Sequence, residues 1–136
     1  MAVQRTEANH SVTDEDAIRN LLARFCQTLD SRQFEAWAAT FTEDGVFGRY
    51  TGRAAILGMI LGGELATQPE LHRQHAVTNS IIDVHGDTAE ATSDLSMYDR
   101  VGDGPVSVRT GRYYDRLARQ ADGGWLFIER RLEWFT

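Results

Sequence analysis

The sequence predicts an α+β domain in which the helices come first and a strongly curved antiparallel sheet then wraps around them as a cone. Three observations carry that prediction. Up to Leu65 the apolar residues recur mainly at helical spacing, whereas from Leu71 onward they fall into alternating segments separated by glycine-aspartate turns. A sheet with one apolar face must cover it, and the segregated helices are the only cover this order of elements provides. One segment, 88 to 100, also grades along a single face from Ala89 and Ala91 through Ser93 to Leu95 and Met97, small to large, as a tapering cone requires.

Composition bounds the function. With 136 residues the chain is sized for one domain and one core. A net charge of -6 argues against a nucleic-acid or anionic-membrane surface, either of which needs a basic patch. All 14 basic residues are arginine, so no lysine Schiff base or phosphate-cradling lysine can form. The single cysteine, Cys26, excludes an internal disulfide and a zinc-cysteine cluster, and reads as a buried spacer. Without an apolar leader or a membrane-length apolar run, the protein is expected to be soluble and cytoplasmic.

Residues 1 to 12 lack periodicity and are expected to form a loose arm, with a single domain over 13 to 136. Thr13 predicts a helix start, its hydroxyl capping a segment whose first turn carries Asp14, Glu15 and Asp16. The apolar stripe of that helix is Ile18, Leu21, Leu22, Phe25 and Leu29. A second helix comes after the break at Asp30-Ser31-Arg32, with Phe34, Trp37, Ala38 and Phe41 on one side. Glu43-Asp44-Gly45 predicts a turn and Val46 to Tyr50 a short strand. Gly52 opens a third helix reaching Leu65, weakened by Gly58 and the Gly62-Gly63 pair, where each glycine costs about 1 kcal/mol against alanine. Strands are predicted over 71 to 84, 88 to 100, 105 to 119 and 124 to 134.

The first of these long strands, LHRQHAVTNSIIDVH, carries a polar, titratable end and an apolar end. Parity puts Arg73, His75, Val77, Asn79 and Ile81 on one face. His72 lies on the other, so His72 and His75 cannot chelate one ion, and no metal site is predicted. Two readings stand for Asp30. It could cap the second helix with Gln33 answering, or it could point into the cone and hold the imidazole of His75, fixing its tautomer so that it acts as a base. His75 likewise could be a hydrogen-bonded core residue. Tyr50, at a strand end, could polarise a carbonyl or simply pack. Arg130 alternates with Leu126, Ile128 and Leu132, whereas Arg131 shares parity with Trp125 and Phe127; parity cannot choose which arginine reaches the cone.

The order of LDSRQFEAW, FTEDGVF, RQHAVTNSIIDVHGDTAEA and GRYYDRLARQADGGW resembles the SnoaL-like branch of the nuclear transport factor 2-like superfamily, over nearly the whole chain from Thr13. The resemblance implies a cone with a deep apolar pocket, commonly in a homodimer or homotrimer. LDSRQ and QHAVTN are most similar to scytalone dehydratase and lindane dehydrochlorinase, where an aspartate-histidine dyad starts an elimination. The matching positions are Asp30 and His75. Scytalone dehydratase has a tyrosine before its aspartate where this chain has Leu29, and a second family tyrosine falls near Tyr50.

The expectation is therefore a cofactor-independent lyase or isomerase, acting on a small, mostly apolar carbonyl or alcohol substrate. His75 would take the proton, Asp30 would stabilise the imidazolium, Tyr50 would bond the substrate oxygen, and Trp37, Asn79, Tyr113 and Arg130 would bind the substrate. The alternative is a non-catalytic module of the same fold that holds a ligand or assembles with a partner, including a role like the small subunit of a ring-hydroxylating dioxygenase.

Overall fold

The structure, a computed structural model, describes residues 12 to 135, so the expected arm lies outside the described residues except for Val12. Helix α1 (Asp14–Asp30) starts as predicted, with the Thr13 hydroxyl accepting the Asp16 amide at 3.1 Å and three acids in the first turn. Its predicted stripe is buried, joined by Cys26. Helix α2 (Phe34–Ala38) is shorter than its apolar spacing implied, and Phe41 begins strand β1 (Phe41–Phe47) instead. Thr40 is the reason. Its amide and its hydroxyl both bond the Trp37 carbonyl and close the helix, while its own carbonyl accepts the Phe127 amide at 2.9 Å and commits the chain to the sheet. Glu43-Asp44-Gly45, predicted as a turn, is an irregular stretch inside β1.

Strand β2 (Tyr50–Thr51) folds back on β1, and helix α3 (Arg53–Leu61) stops at the Gly62-Gly63 pair. Beyond the pair the chain makes a separate turn, α4 (Glu64–Thr67), so the weakness of the predicted third helix emerges as a break. Strands β3 (Leu71–His85), β4 (Thr88–Val101), β5 (Ser107–Arg119) and β6 (Trp125–Trp134) match the predicted meander. The six strands run in the order β2-β1-β6-β5-β4-β3, antiparallel except for the parallel pair β1 and β6. Strand β3 is therefore an edge, and α1 lies along it.

The core sits between α1 and the concave face of the sheet. Ala89, Ala91, Ser93, Leu95 and Met97 all turn inward, as the taper predicted. At the wide side, the Phe25 ring is the hub of an aromatic cluster, with centroids at 5.4 Å to Trp37, 6.1 Å to Phe41, 6.0 Å to Phe47, 5.8 Å to Tyr113 and 5.7 Å to Phe127. Tilted and edge-on contacts of this kind are favourable for aromatic quadrupoles.

Within the antiparallel meander of β3 to β6, two bulges override the simple alternation of the strands. In β3, Thr78 pairs with Asp94 but Ile81 with Thr92, leaving Asn79 and Ser80 opposite Ser93 alone. Asn79 takes a left-handed φ of 53°, which asparagine tolerates better than most residues. In β6, Phe127 pairs with Leu117 but Glu129 with Arg116, so Ile128 is the extra residue. Each bulge moves the downstream residues to the opposite face. No helix among the described residues is long and apolar enough to cross a membrane.

Candidate active site

Asp30 is the last residue of α1 and His75 the fifth of β3, and the two meet. The imidazole Nδ1 lies 2.6 Å from Asp30 Oδ1, and the His75 backbone amide donates to Asp30 Oδ2 at 2.8 Å. Both carboxylate oxygens are therefore engaged by one residue of the edge strand. A carboxylate only accepts, so the hydrogen of this contact sits on Nδ1, and in the neutral form of the ring Nε2 is a lone pair. Nε2 has no hydrogen-bond partner among the described residues. The side chain of His75 is 7% exposed and that of Asp30 18%, so the contact is shielded without being sealed.

Asp30 meets His75 and does not cap the second helix. Helix α2 begins after Gln33 and has no side-chain cap, so Asp30 is not its cap. A carboxylate at the negative end of α1 is unfavourable on the helix dipole alone, and the two donors of His75 are what offset it.

A cavity of about 480 Å³ opens beside the pair, between α1 and β3. Leu22, Cys26 and Asp30 line it from the helix at four-residue spacing, and His75, Val77 and Ser80 from the strand. Its walls mix apolar groups with Gln27, Gln74 and Thr78, in contrast to the deep apolar pocket that the resemblance implied. Burial pushes the Cys26 thiol up to about 11, with Arg130 opposing the shift and Asp30 adding to it.

The remaining sequence-predicted residues fall in three places. Trp37, Tyr113 and Arg130 lie in the core, and each is nearly or fully buried. The Arg130 guanidinium sits 3.5 Å from the Tyr113 ring centroid and donates through Nε and Nη2 to Asp115 at 2.8 and 3.0 Å. Burial, offset in part by Arg130, drives the Tyr113 phenol above its ordinary range. Trp37 Nε1 and Arg130 Nη1 are buried donors with no acceptor among the described residues. Asn79 lines the rim of the cavity but turns its amide to Asp94 Oδ2 at 2.9 Å, away from the inward face on which parity placed it. Tyr50 stands apart from the dyad on β2, its hydroxyl accepting from Arg49 at 3.3 Å near solvent.

Of the two arginines, Arg130 faces inward and Arg131 is exposed. Strict alternation had grouped Arg131 with Trp125 and Phe127, and the bulge at Ile128 reverses this. Two residues at the site were not singled out from sequence. Ser80, brought inward by the β3 bulge, lies 2.9 Å from Ser93 through their hydroxyl oxygens. The other is Asp115, whose partner Arg130 stands on the neighbouring strand, so nothing in the local sequence announced the pair. Strand β3 holds no glycine, the usual local sign of a bulge, so nothing in its sequence pointed to this one.

The SnoaL-like domain family model matches residues 10–131. No curated protein matches the chain. Among solved structures, it is similar to a nuclear transport factor 2-like protein with a cystatin-like fold from Novosphingobium aromaticivorans, with 25% identity, 99% of this chain and 88% of that one covered, and a TM-score of 0.82. A protein proposed to be a scytalone dehydratase, from Novosphingobium aromaticivorans DSM 12444, shares 27% identity over 88% of this chain and 83% of its own, with a TM-score of 0.77. A Catenulispora acidiphila protein solved in complex with S-DNPA shares 30% identity over 86% and 90% of the two chains, with a TM-score of 0.77. The family match covers most of the chain and the fold agrees with it: the chain belongs to the SnoaL-like domain family, within the nuclear transport factor 2-like superfamily.

Proposed function

We propose that the protein is a cofactor-independent lyase or isomerase acting on a small carbonyl or alcohol substrate, with His75 as its base. The observation that carries this reading is the Asp30-His75 contact at the wall of the cavity, because it leaves Nε2 without a partner among the described residues. In an elimination, Nε2 takes a proton from the carbon next to the substrate carbonyl, and the C–H electron pair passes into an enolate. The enolate then forms the C=C bond and expels the β-hydroxyl, which leaves as water by taking a proton from the imidazolium. In an isomerisation the same proton returns to a different carbon. Asp30 stabilises the imidazolium through Nδ1–H and keeps the ring in one tautomer.

The substrate body rests on Leu22 and Val77, while the polar walls suit its oxygens. Arg130 and Trp37, whose buried donors lack acceptors among the described residues, are the groups toward which a substrate oxygen turns if it penetrates to the core, with Tyr113 beside Arg130. Asn79 serves at the rim. The likeness to a proposed scytalone dehydratase supports a dehydratase chemistry, and the S-DNPA complex of the Catenulispora protein supports a small-molecule ligand.

The test is a panel of β-hydroxy ketones and isomerisable enones monitored by NMR in deuterated water. His75→Ala and Asp30→Asn should each abolish deuterium incorporation and product formation, with binding retained. Undiminished turnover in His75→Ala removes His75 as the base. Ligand binding with no turnover by the native protein supports a binding module instead.

A further inference from the structure

Helix α1 ends in a way that ordinarily takes glycine. The Arg32 amide bonds the Leu29 carbonyl at 3.0 Å and the Gln33 amide bonds the Thr28 carbonyl at 2.8 Å, the paired bonds of a Schellman closure. The residue in the left-handed position is Arg32, with φ of 60°. A side chain there is strained, and glycine is the usual solution. An arginine that persists in such a position points to work done by its side chain.

That side chain reaches across the fold. Nε donates to the Leu65 carbonyl at 3.2 Å, and Nη2 donates to the Gln68 carbonyl at 3.1 Å and the Leu71 carbonyl at 2.8 Å. The three acceptors belong to α4, to the connection after it and to the first residue of β3. Among the described residues no strand lies beside the outer edge of β3. Asp30 grips that edge at the His75 amide and ring, and Arg32 grips it at Leu71. The two grips are four residues apart on the strand, roughly 13 Å at the usual rise of an extended chain. The inner side of this stretch is paired with β4, and on its outer side two grips from one helix end, at Leu71 and at His75, together set the distance and the angle at which the ring meets the carboxylate.

We propose that Arg32 is a positioning residue for His75, holding the start of β3 so that the imidazole stays aligned on Asp30. The catalytic meaning of that alignment rests on the function proposed above, but its test does not. Arg32→Gly is the informative variant, since it relieves the left-handed strain while removing the clamp, and Arg32→Lys keeps the charge without the fork. In the full chain, amide hydrogen exchange at His75 and the low-field Nδ1–H proton resonance of its ring are read beside the amides of Leu95 and Leu117 as internal controls. The expected result for Arg32→Gly is exchange at His75 faster by about tenfold or more, with the controls unchanged and the Nδ1–H resonance broadened or lost. Arg32→Lys should fall between native and Gly. Exchange and resonance unchanged in Arg32→Gly overturn the proposal. If that variant does not fold, Arg32→Lys decides alone: faster exchange confined to His75 supports the clamp, and native behaviour overturns it. These readouts need no substrate, so undiminished turnover in His75→Ala would remove the functional reading and leave this result standing on its own.

Discussion

The carboxylate of Asp115 and the guanidinium of Arg130 meet through two hydrogen bonds, at 2.8 and 3.0 Å, in a place where neither side chain touches solvent. The rings of Tyr113, Phe25 and Phe127 surround the guanidinium, with centroids at 3.5, 4.4 and 4.5 Å from its central carbon. Burial raises the Asp115 carboxyl above its ordinary value, and the charge and hydrogen bonds of Arg130 oppose that shift. The pair is thus held together by its own geometry against a strong desolvation cost.

Breaking the pair should be far worse than replacing it. Arg130→Met leaves a buried carboxylate without its counter-charge, for an expected loss of about 3 to 5 kcal/mol. The double variant Arg130→Met with Asp115→Leu should recover much of that loss, since no charge remains to desolvate. Urea unfolding of the two variants checks this, and equal destabilisation in both would contradict it.

Gly111 should not accept a side chain. A Cβ there would stand 2.5 Å from the Glu133 carbonyl oxygen and 3.2 Å from the Trp134 Cα, both main-chain atoms of the neighbouring strand. No rotamer change can relieve that overlap, so β5 and β6 must separate. Gly111→Ala should cost roughly 1 to 3 kcal/mol in denaturant unfolding, as overpacking does.

Cys26 should be inert in the folded protein. With the thiol pushed up to about 11 and the residue 6% exposed, only about a thousandth of it is thiolate at pH 8. A thiol-specific disulfide reagent should react slowly in buffer and promptly once denaturant is added. Prompt labelling of the native protein would mean that the cavity floor opens readily.

The start of α1 should carry part of the acid sensitivity of the fold. Hydrogen bonds from Arg119 and Trp125 hold the Asp14 carboxyl below its ordinary value of 3.8, with the Arg119 charge adding to them. A carboxyl lowered in the folded state contributes stability that is complete above its ordinary value, and that stability is lost as pH falls through the folded one. Thermal stability should therefore weaken below pH 3.8, and Asp14→Asn should flatten that part of the profile. An unchanged slope in the variant would exclude Asp14 as a contributor.

Local spacing along the chain was enough to specify the class and most of the elements, though not the early end of α2, the course of β1 through Glu43-Asp44-Gly45 or the split of the expected 46 to 50 strand between β1 and β2. Helical recurrence from Ile18 to Leu29, the Thr13 start, the weak point at Gly62-Gly63 and the graded face from Ala89 to Met97 all depend on near neighbours, and each appears in the structure where the spacing put it. The motif order was likewise sufficient to suggest the family. The site itself depends on partners far apart in the chain, which only folding brings together. Asp30 and His75 come into contact because α1 packs along the free edge of β3, and the open capping reading of Asp30 ended there. The inward turn of Arg130 depends on one extra residue at Ile128, and the outward turn of Asn79 on the bulge it forms with Ser80 in β3. A bulge is a property of two strands paired with unequal residue counts, so a single strand's alternation carries no record of it. Arg32 shows the same limit: its strain is local, but the carbonyls of Leu65, Gln68 and Leu71 that account for it come within reach only once the fold has closed.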